Sequence, residues 1–522
     1  MEMTKRVPAA ALNSRSQYSA IIIGAGHNGL VCAAYLARAG LKVLVLEARP
    51  FVGGACVTEE VFPGYHVSTC AYLVHVLQDK VVRDLDLYRH GYQVLSRDPG
   101  FVLPFGEGKA IRMWVDPKRT AREFEQFSAQ DAAGFLRWEN FWREASGLLA
   151  EDLLREPPTL DQLRERVRGT DREALLERLI AGTLRELLDE CFTTDEAKAA
   201  VIHIPFVMRP LDEPGVLLAE ASLQIDRHAD PQHQGLPVGG MSTLSNAMAR
   251  AAESFGAVIR TDSKVEEITV TSGRAAGVRL ESGEHVESGV VVSNCDPKRT
   301  FLDLLDPAGV TDGIRYRVES MDTECGTIKF IGALRELPDV SRYLGPGHDP
   351  AWLSGVRFCP SVAYFEEALK AALDGELPDR PLLSIQIPTV YDPSVAPPGR
   401  HLCTMWVRYY PTHPRAGSWD ELRQQAEERI IEETTRWIPG FRDLLLERCI
   451  YTPLDLERRM GLTDGNIHHL HHAGTQVLAG RAGYRTTVEG LYLCGAGTHP
   501  GGEVSGAPGH NAAHVILGDR TS

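Results

Sequence analysis

The chain has 522 residues, 43% of them hydrophobic and 24% charged, an ordinary globular composition on a length that predicts two domains or one with a large insertion. A formal net charge of −15 argues against nucleic acid and against charge-driven binding to an anionic membrane. No apolar run approaches the ~18 residues of a membrane span, so a cytoplasmic protein with peripheral membrane contact at most is expected.

The first 16 residues carry Lys5, Arg6 and Arg15 but no continuous apolar core, which argues against a secretory signal and favours a disordered tail over a transit peptide. The 10 cysteines run from Cys32 to Cys494 without a CxxC or CxxxxC pair. Their scatter fits unpaired thiols in a reducing compartment and excludes a flavin–disulfide reductase, which needs a redox pair close in sequence.

Organisation begins at Ser19, from which the chain reads SAIIIGAGHNGLVCAAYLARAGLKVLVLE to Glu47. Ala20 to Ile23 predicts a buried strand. The stretch to about Arg38 predicts an amphipathic helix stopped by Gly40, and Val43 to Leu46 a second strand. Between the first strand and the helix stand Gly24, Gly26 and Gly29. In a dinucleotide site the first glycine permits the tight turn, the second lets backbone approach a pyrophosphate, and the third lets helix and strand pack closely. The helix N-terminus offers N–H groups and a positive dipole end to the phosphates, and Glu47 stands where an acid accepts hydrogen bonds from a ribose. With 48 glycines, a GxGxxG arises by chance roughly 0.4 times in such a chain, so the flanking strand, helix and acid carry the reading.

Arg49 follows, then Gly53 and Gly54. A second glycine pair lets the chain pass the pyrophosphate again, which a tightly held FAD needs and a nicotinamide does not; a plain turn is the alternative. Val57 to Tyr72 reads as short strands around a Pro63-Gly64 turn. From about Ala121 to Leu154, Phe124, Phe127, Phe135, Trp138, Phe141 and Trp142 recur at helical spacing until Pro157-Pro158, which predicts an aromatic core stripe or, alternatively, an apolar tunnel wall. A second helical stretch is expected from Leu160 to about His203. Val238 to Gly256 predicts a strand, a Gly239-Gly240 turn and a helix. Hairpin-like strands are expected from Val258 to Arg260, Lys264 to Thr271, Ala275 to Leu280 and Val290 to Ser293, which makes the nucleotide domain discontinuous. Cys325 to Leu334 and Leu382 to Ile387 read as strands of the other domain. Pro346 to Pro350 and Ala396 to Gly399 read as turns, and Trp419 to Glu433 as a helix capped by Ser418.

Further on, a short strand from Leu491 to Cys494 runs into the glycine-dense GAGTHPGGEVSGAPGH and a helix with Pro508 in its first turn, where the missing N–H costs nothing. Such a loop can lie flat against a planar ring. A helix N-terminus beside a flavin stabilises the negative charge that develops at N1 and C2=O on reduction.

GAGHNGL, GGACVTEE, IPTVYDPSVAPPG and GLYLCGAGTHPGG together resemble the phytoene-desaturase-like FAD-dependent oxidoreductases, in particular the branch with bacterial carotene ketolases and mitochondrial flavoproteins of the pyridine nucleotide–disulfide oxidoreductase type. The resemblance runs from Tyr18 to Leu517. It implies an α/β (α+β) fold similar to monoamine oxidase. A discontinuous Rossmann-type FAD-binding domain would take residues 17–80, 236–310 and 486–518, and a substrate domain of mixed sheet and helices would take 81–235 and 311–485. The implied cofactor is FAD. Gly24, Gly26, His27, Asn28, Gly29, Glu47, Arg49, Gly53 and Gly54 would hold its ADP half, with Val265 the backbone clamp on adenine. Gly495, Gly497, Gly502, Glu503 and Val504 would border the isoalloxazine.

Relatives commonly carry a third glycine where this chain has Glu503. An acid there can orient substrate, take a proton or cap the following helix. Asn466-Ile467 opens a family-like segment that continues here as His468, His469, Leu470, His471 and His472, with His469 where relatives also carry His. Glu503 and His469 are therefore the candidate catalytic residues. His468 and His472 stand four apart, but without an HExxH glutamate or a helical context they read as a structural cluster or a polar substrate pocket rather than a metal site. His499 and His510 read as loop hydrogen-bonders.

No second GxGxxG follows a strand, so no NAD(P)H domain is expected, and electrons pass from a small-molecule substrate to oxygen, a quinone or another diffusible acceptor. The expected reaction is a dehydrogenation: a hydride leaves a substrate C–H for the flavin, the neighbouring carbon loses a proton to a weak base or solvent, and a C=C bond forms in an apolar or isoprenoid-like molecule. Oxidation at a heteroatom-bearing carbon, ring ketolation, and a flavin-holding interaction protein without turnover are the alternatives. A homo-oligomer is left open.

Overall fold

The computed structural model describes residues 18–202, 208–223, 231–305 and 310–521; the tail expected at 1–16 and the expected helix end at His203 lie outside the described residues. A five-stranded parallel sheet forms around Ala20–Ile23, in the order Leu491–Leu493, Val291–Ser293, Ala20–Ile23, Val43–Leu46, Val258–Arg260. Its first two strands in sequence are apolar at every position because both faces of the sheet are covered. Ala20, Ile22, Val43 and Val45 pack under the helices His27–Arg38, Ser242–Ser254 and Ala507–Asp519. Ile21, Ile23, Leu44 and Leu46 face the other way, onto Val265, Ile268 and Val278 of a three-stranded antiparallel sheet. The helix His27–Arg38 ends in a Schellman turn. The Leu41 N–H donates to Leu36 O at 3.1 Å while Gly40 takes φ +90°, a conformation open to glycine without steric cost.

The second layer is a seven-stranded mixed sheet in the order Leu445–Tyr451, Thr327–Leu334, His401–Arg408, Leu382–Gln386, Val356–Phe358, Phe101–Gly106, Lys109–Met113. Side-chain alternation decides what each face does. Ile328, Phe330, Phe358, Ile385, Met405 and Val407 pack against Trp419, Ala426, Ile430 and Ile431 of the helix Trp419–Trp437. That helix starts on a capping box between Ser418 and Glu421. The intervening residues Arg357, Trp406 and Arg408 project from the opposite face into the cavity described below, and Lys329 lies on that face over the Trp406 ring.

Helices Ala129–Leu149, Leu160–Val167, Arg172–Ala181, Leu184–Cys191, Asp195–Ile202 and Val216–Leu223 bury a third core. The aromatic stripe is its centre. Trp138 and Trp142 meet in a T at 5.6 Å, and Phe124 stacks on Phe135 at 4.8 Å. None of these four rings lines the cavity, so the stripe is core and not a tunnel wall.

Several elements differ from the sequence expectations. The helix expected from Ala121 to Leu154 is two, Pro117–Phe124 and Ala129–Leu149, because Ser128 caps a new start by accepting from the Asp131 N–H. The stretch from Leu160 is four helices. Thr159 with Gln162, and Thr183 with Glu186, form capping boxes that restart the chain. Val258–Arg260 is an edge strand of the parallel sheet, not part of a hairpin. The strand expected at Val238 shrinks to Leu236–Pro237, paired with Val94–Leu95. The helix from Trp419 runs past Glu433 to Trp437. All 10 cysteines are free, and no helix of the described residues is long and apolar enough to cross a membrane.

Candidate functional site

The glycine turn sits between the central strand and the helix His27–Arg38. Gly24 has φ +92°, and a Cβ on Gly29 would overlap the Gly24 carbonyl, so strand and helix pack as closely as glycine alone permits. The helix has neither a side-chain cap nor an acid in its first turn, which leaves its leading N–H groups and positive dipole end for an anion. Glu47 closes the next strand and is buried. Its Oε2 accepts from the Ala25 N–H at 2.8 Å and its Oε1 from the Arg49 N–H at 2.9 Å. Burial pushes its carboxyl upward against those donors. Val265 begins the strand beside it, where the Ser263 N–H donates to Glu47 O at 2.8 Å.

The second glycine pair folds onto the first. Gly53 bridges Gly26, its N–H donating to Ala25 O at 2.9 Å, and a Cβ on Gly54 would stand 3.1 Å from Gly26 Cα. Arg49 holds this loop by donating to Gly54 O at 3.3 Å and pairing with Glu59 at 3.1 Å. His27 Nε2 and Asn28 Oδ1 are buried without partners in the same turn. Glycine cradle, uncapped helix start, buried acid and orphaned polar atoms are the donor set a dinucleotide requires, and the residues fit one.

The glycine-dense loop beyond Leu491–Leu493 comes to the same sheet edge. A Cβ on Gly495 would stand 2.7 Å from Asn294 O, and one on Gly497 2.7 Å from Pro297 Cδ, so this loop too lies flat against its support. Gly502 donates to His472 Nε2 at 3.3 Å. Glu503 follows at φ +70°, a left-handed conformation that a non-glycine residue holds only under constraint. Arg481, 1% exposed, ties the start of this loop to the histidine segment. Its guanidinium donates to Ala496 O at 2.8 Å, His468 O at 3.1 Å, Gln476 O at 3.2 Å and Thr498 O at 3.3 Å. Nothing in the sequence singled it out; an arginine shut in among carbonyls looks like any surface arginine until the loops meet.

Glu503 and Val504 open onto a cavity of about 480 Å³ between the parallel and mixed sheets. Glu503 Oε2 stands 3.4 Å from His75 Nε2. His468, His471 and His472 share the cavity wall. Burial drops the His468 pKa to about 4, so this imidazole is neutral at physiological pH. His471 is clamped: its Nδ1 lies 3.2 Å from Asp322 Oδ2, and its Nε2 accepts from the Met208 N–H at 3.2 Å. Burial works to raise Asp322, but His471 and Arg209 outweigh it and hold the carboxyl down to about 2. Among the described residues no group of three or more His, Cys, Asp or Glu could hold a metal ion.

His469 does not reach the cavity. Its ring lies behind the flat loop, where a Cβ on Gly495 would meet His469 Cε1 at 2.9 Å. His499 Nε2 bonds Asp152 O at 2.9 Å and His510 Nδ1 bonds Asn511 Oδ1 at 2.8 Å, both away from the cavity. Sequence reasoning missed Lys329, whose buried Nζ has no hydrogen-bond partner and sits 4.7 Å from the Tyr72 ring centroid and 5.2 Å from that of Trp406. It also missed Arg97, Arg357 and Arg408 on the cavity wall. For Lys329, Arg357 and Arg408 the signal available was a single cationic residue within an otherwise largely apolar strand; Arg97, in a loop, gave none.

Comparison with known proteins matches residues 29–319 to the family described as flavin containing amine oxidoreductase. The chain is similar to pyridine nucleotide-disulfide oxidoreductase domain-containing protein 2 of Rattus norvegicus, at 34% identity over 99% of this chain and 96% of that one. It is 26% identical to a phytoene desaturase of Fusarium fujikuroi, over 92% of this chain and 86% of that one. The fold is similar to that of an oxidoreductase from Methanosarcina mazei, with a TM-score of 0.62 at 19% identity, covering 96% of this chain and 100% of that one.

Proposed function

Because the chain belongs to the family of flavin containing amine oxidoreductases and is an FAD-dependent oxidoreductase with a small-molecule substrate, we propose that it dehydrogenates a carbon–carbon bond of an apolar or isoprenoid-like molecule. The observation that carries this reading is the cavity wall, where Leu73, Val74, Val76, Met113 and Trp406 offer apolar surface in the same space as Glu503. A relative named phytoene desaturase supports it.

FAD, when bound, supplies the two-electron acceptor for a hydride from the substrate. Gly24, Gly26 and Gly29, with His27 and Asn28, would hold the pyrophosphate at the helix start, Glu47 the ribose and Val265 the adenine. Arg49, Gly53 and Gly54 would support the second pass of the chain, and Gly495, Gly497, Gly502 and Val504 would border the ring. As the hydride leaves one carbon, its neighbour gives a proton to Glu503, and the electron pair of that second C–H becomes the C=C bond. His75, at 3.4 Å and with a side chain 41% exposed, relays the proton outward. His469 braces the loop from behind, a positioning role. The electrons go on to oxygen, a quinone or another diffusible acceptor.

Oxidation of an amine is the second reading, favoured by the family's description and by the polar wall of His468, His471 and His472. Incubating the FAD-loaded protein anaerobically with panels of polyenes and of amines, and following the visible flavin absorbance, separates the two. Bleaching by polyenes supports dehydrogenation of a C–C bond; bleaching by amines alone refutes it.

A further inference from the structure

The apolar cavity contains charges that a hydrocarbon would leave unanswered. Arg97 and Arg357 line it and sit over one ring, with Cζ 5.1 and 3.3 Å from the Phe101 centroid. Arg408 lines it too, carried there by the strand His401–Arg408. Arg97 is 8% exposed and donates through one terminal nitrogen to Ser354 O at 3.0 Å. Arg357 Nε is buried without a hydrogen-bond partner. Among the described residues no carboxylate pairs with Arg97 or Arg357, and the acids on the cavity wall are Glu324 and Glu503, the second of which faces His75.

A guanidinium does not give up its proton at working pH, so this wall is cationic and partly dehydrated whatever occupies it. Burial, with Arg408 and Arg97 adding to it, pushes Arg357 down to about 9. Each guanidinium presents a planar fork of donors that matches two oxygens of a carboxylate or phosphate. Phe101 holds two of these planes in place by cation–π contact before any ligand arrives.

We propose that Arg97 and Arg357 bind a terminal oxyanion, carboxylate or phosphate, on a substrate whose body is apolar. This rests on the reading of the cavity as the substrate site and deepens it: the molecule oxidised is an acidic amphiphile, not a neutral hydrocarbon. The anchored head group then measures off which carbon lies beside Glu503, so the arginines set the position of the new double bond.

The test titrates the FAD-loaded protein with decanoate, decyl phosphate and 1-decanol and reads the perturbation of the flavin spectrum. At least one anionic probe is expected to bind tenfold or more tightly than 1-decanol, and the tighter of the two identifies the head group. Arg357→Gln is expected to cut that anion's affinity at least tenfold and leave 1-decanol within twofold. Arg97→Gln serves as the second variant where Arg357→Gln loses its flavin. Equal affinity of the wild-type protein for all three probes, or no binding of any, overturns the proposal. Bleaching confined to amines, with the anionic probe still preferred, would overturn the C–C dehydrogenase reading and leave the oxyanion site standing.

Discussion

Replacing Lys329 with methionine should make this protein more stable, and by an amount that depends on pH. The side chain is 0% exposed and Nζ has no hydrogen-bond partner, so burial pushes its pKa from 10.5 down to about 7. Above pH 10.5 the amine is neutral in folded and unfolded chain alike, and folding costs nothing there. Below it, folding must strip a proton. Each pH unit adds about 1.4 kcal/mol until the folded group itself protonates near pH 7, where the cost levels off at about 5 kcal/mol. The penalty is about 4 kcal/mol at pH 7.5 and about 1 kcal/mol at pH 9.5 by the same linkage. Methionine keeps the length and removes the titratable group, and because the folded amine is largely neutral at pH 7.5 and above, no cation–π contact with Tyr72 or Trp406 is forfeited there. The gain at pH 7.5 is about 4 kcal/mol, which across 522 residues raises Tm by about 4 °C. At pH 9.5 the gain should shrink to about 1 kcal/mol. Calorimetry on FAD-saturated wild type and Lys329→Met at the two pH values decides it. A variant that melts lower at pH 7.5, or gains equally at both, refutes the reasoning.

Gly29→Ala places a methyl group on the Gly24 carbonyl and should raise the FAD dissociation constant at least tenfold, read as flavin content after gel filtration, in line with the ~1–3 kcal/mol typical of overpacking. Glu503→Gln keeps the shape of the residue and removes its ability to take a proton, so kcat against a bleaching substrate should fall at least tenfold with KM within threefold, by the usual size of a general-base contribution. His27, His468, His469, His499 and His510 all have pKa values lowered by burial to about 4. Their folded pKa lies below the unfolded 6.5, so the stability they allow is complete above pH 6.5 and is lost as pH falls toward 4. Tm should therefore drop steeply across that window. A flat profile between pH 6.5 and 4 would show these imidazoles to be hydrated.

The glycine turn was legible because everything that makes it is local. Ala20–Ile23, His27–Arg38 and Val43–Leu46 are each bounded by their own glycines and apolar runs, and the expected limits agree with the structure. Ser418 announced its helix for the same reason. The strands Phe101–Gly106, Lys109–Met113, His401–Arg408 and Leu445–Tyr451 went unseen because Pro104 and interspersed charges break the alternation that marks a strand. The cavity could not be read at all. Arg357 and Arg408 meet only through the pairing of Val356 with Ile385 and of Leu382 with Arg408, and Arg97 arrives from a loop more than 200 residues upstream, where it bonds Ser354. Lys329 and Arg481 were passed over because residue type alone says that a lysine or arginine is outside.

The parallel sheet joins Ala20–Ile23 to Val291–Ser293 and then to Leu491–Leu493, and the helix Ala507–Asp519 packs with the helix of the glycine turn. During translation, the first and last of those strands leave the ribosome roughly 470 residues apart, which at ~5–20 residues per second is on the order of a minute. The nascent chain therefore waits with a half-built cradle and open strand edges, and coenzyme loading is deferred until Leu491–Leu493 has been made.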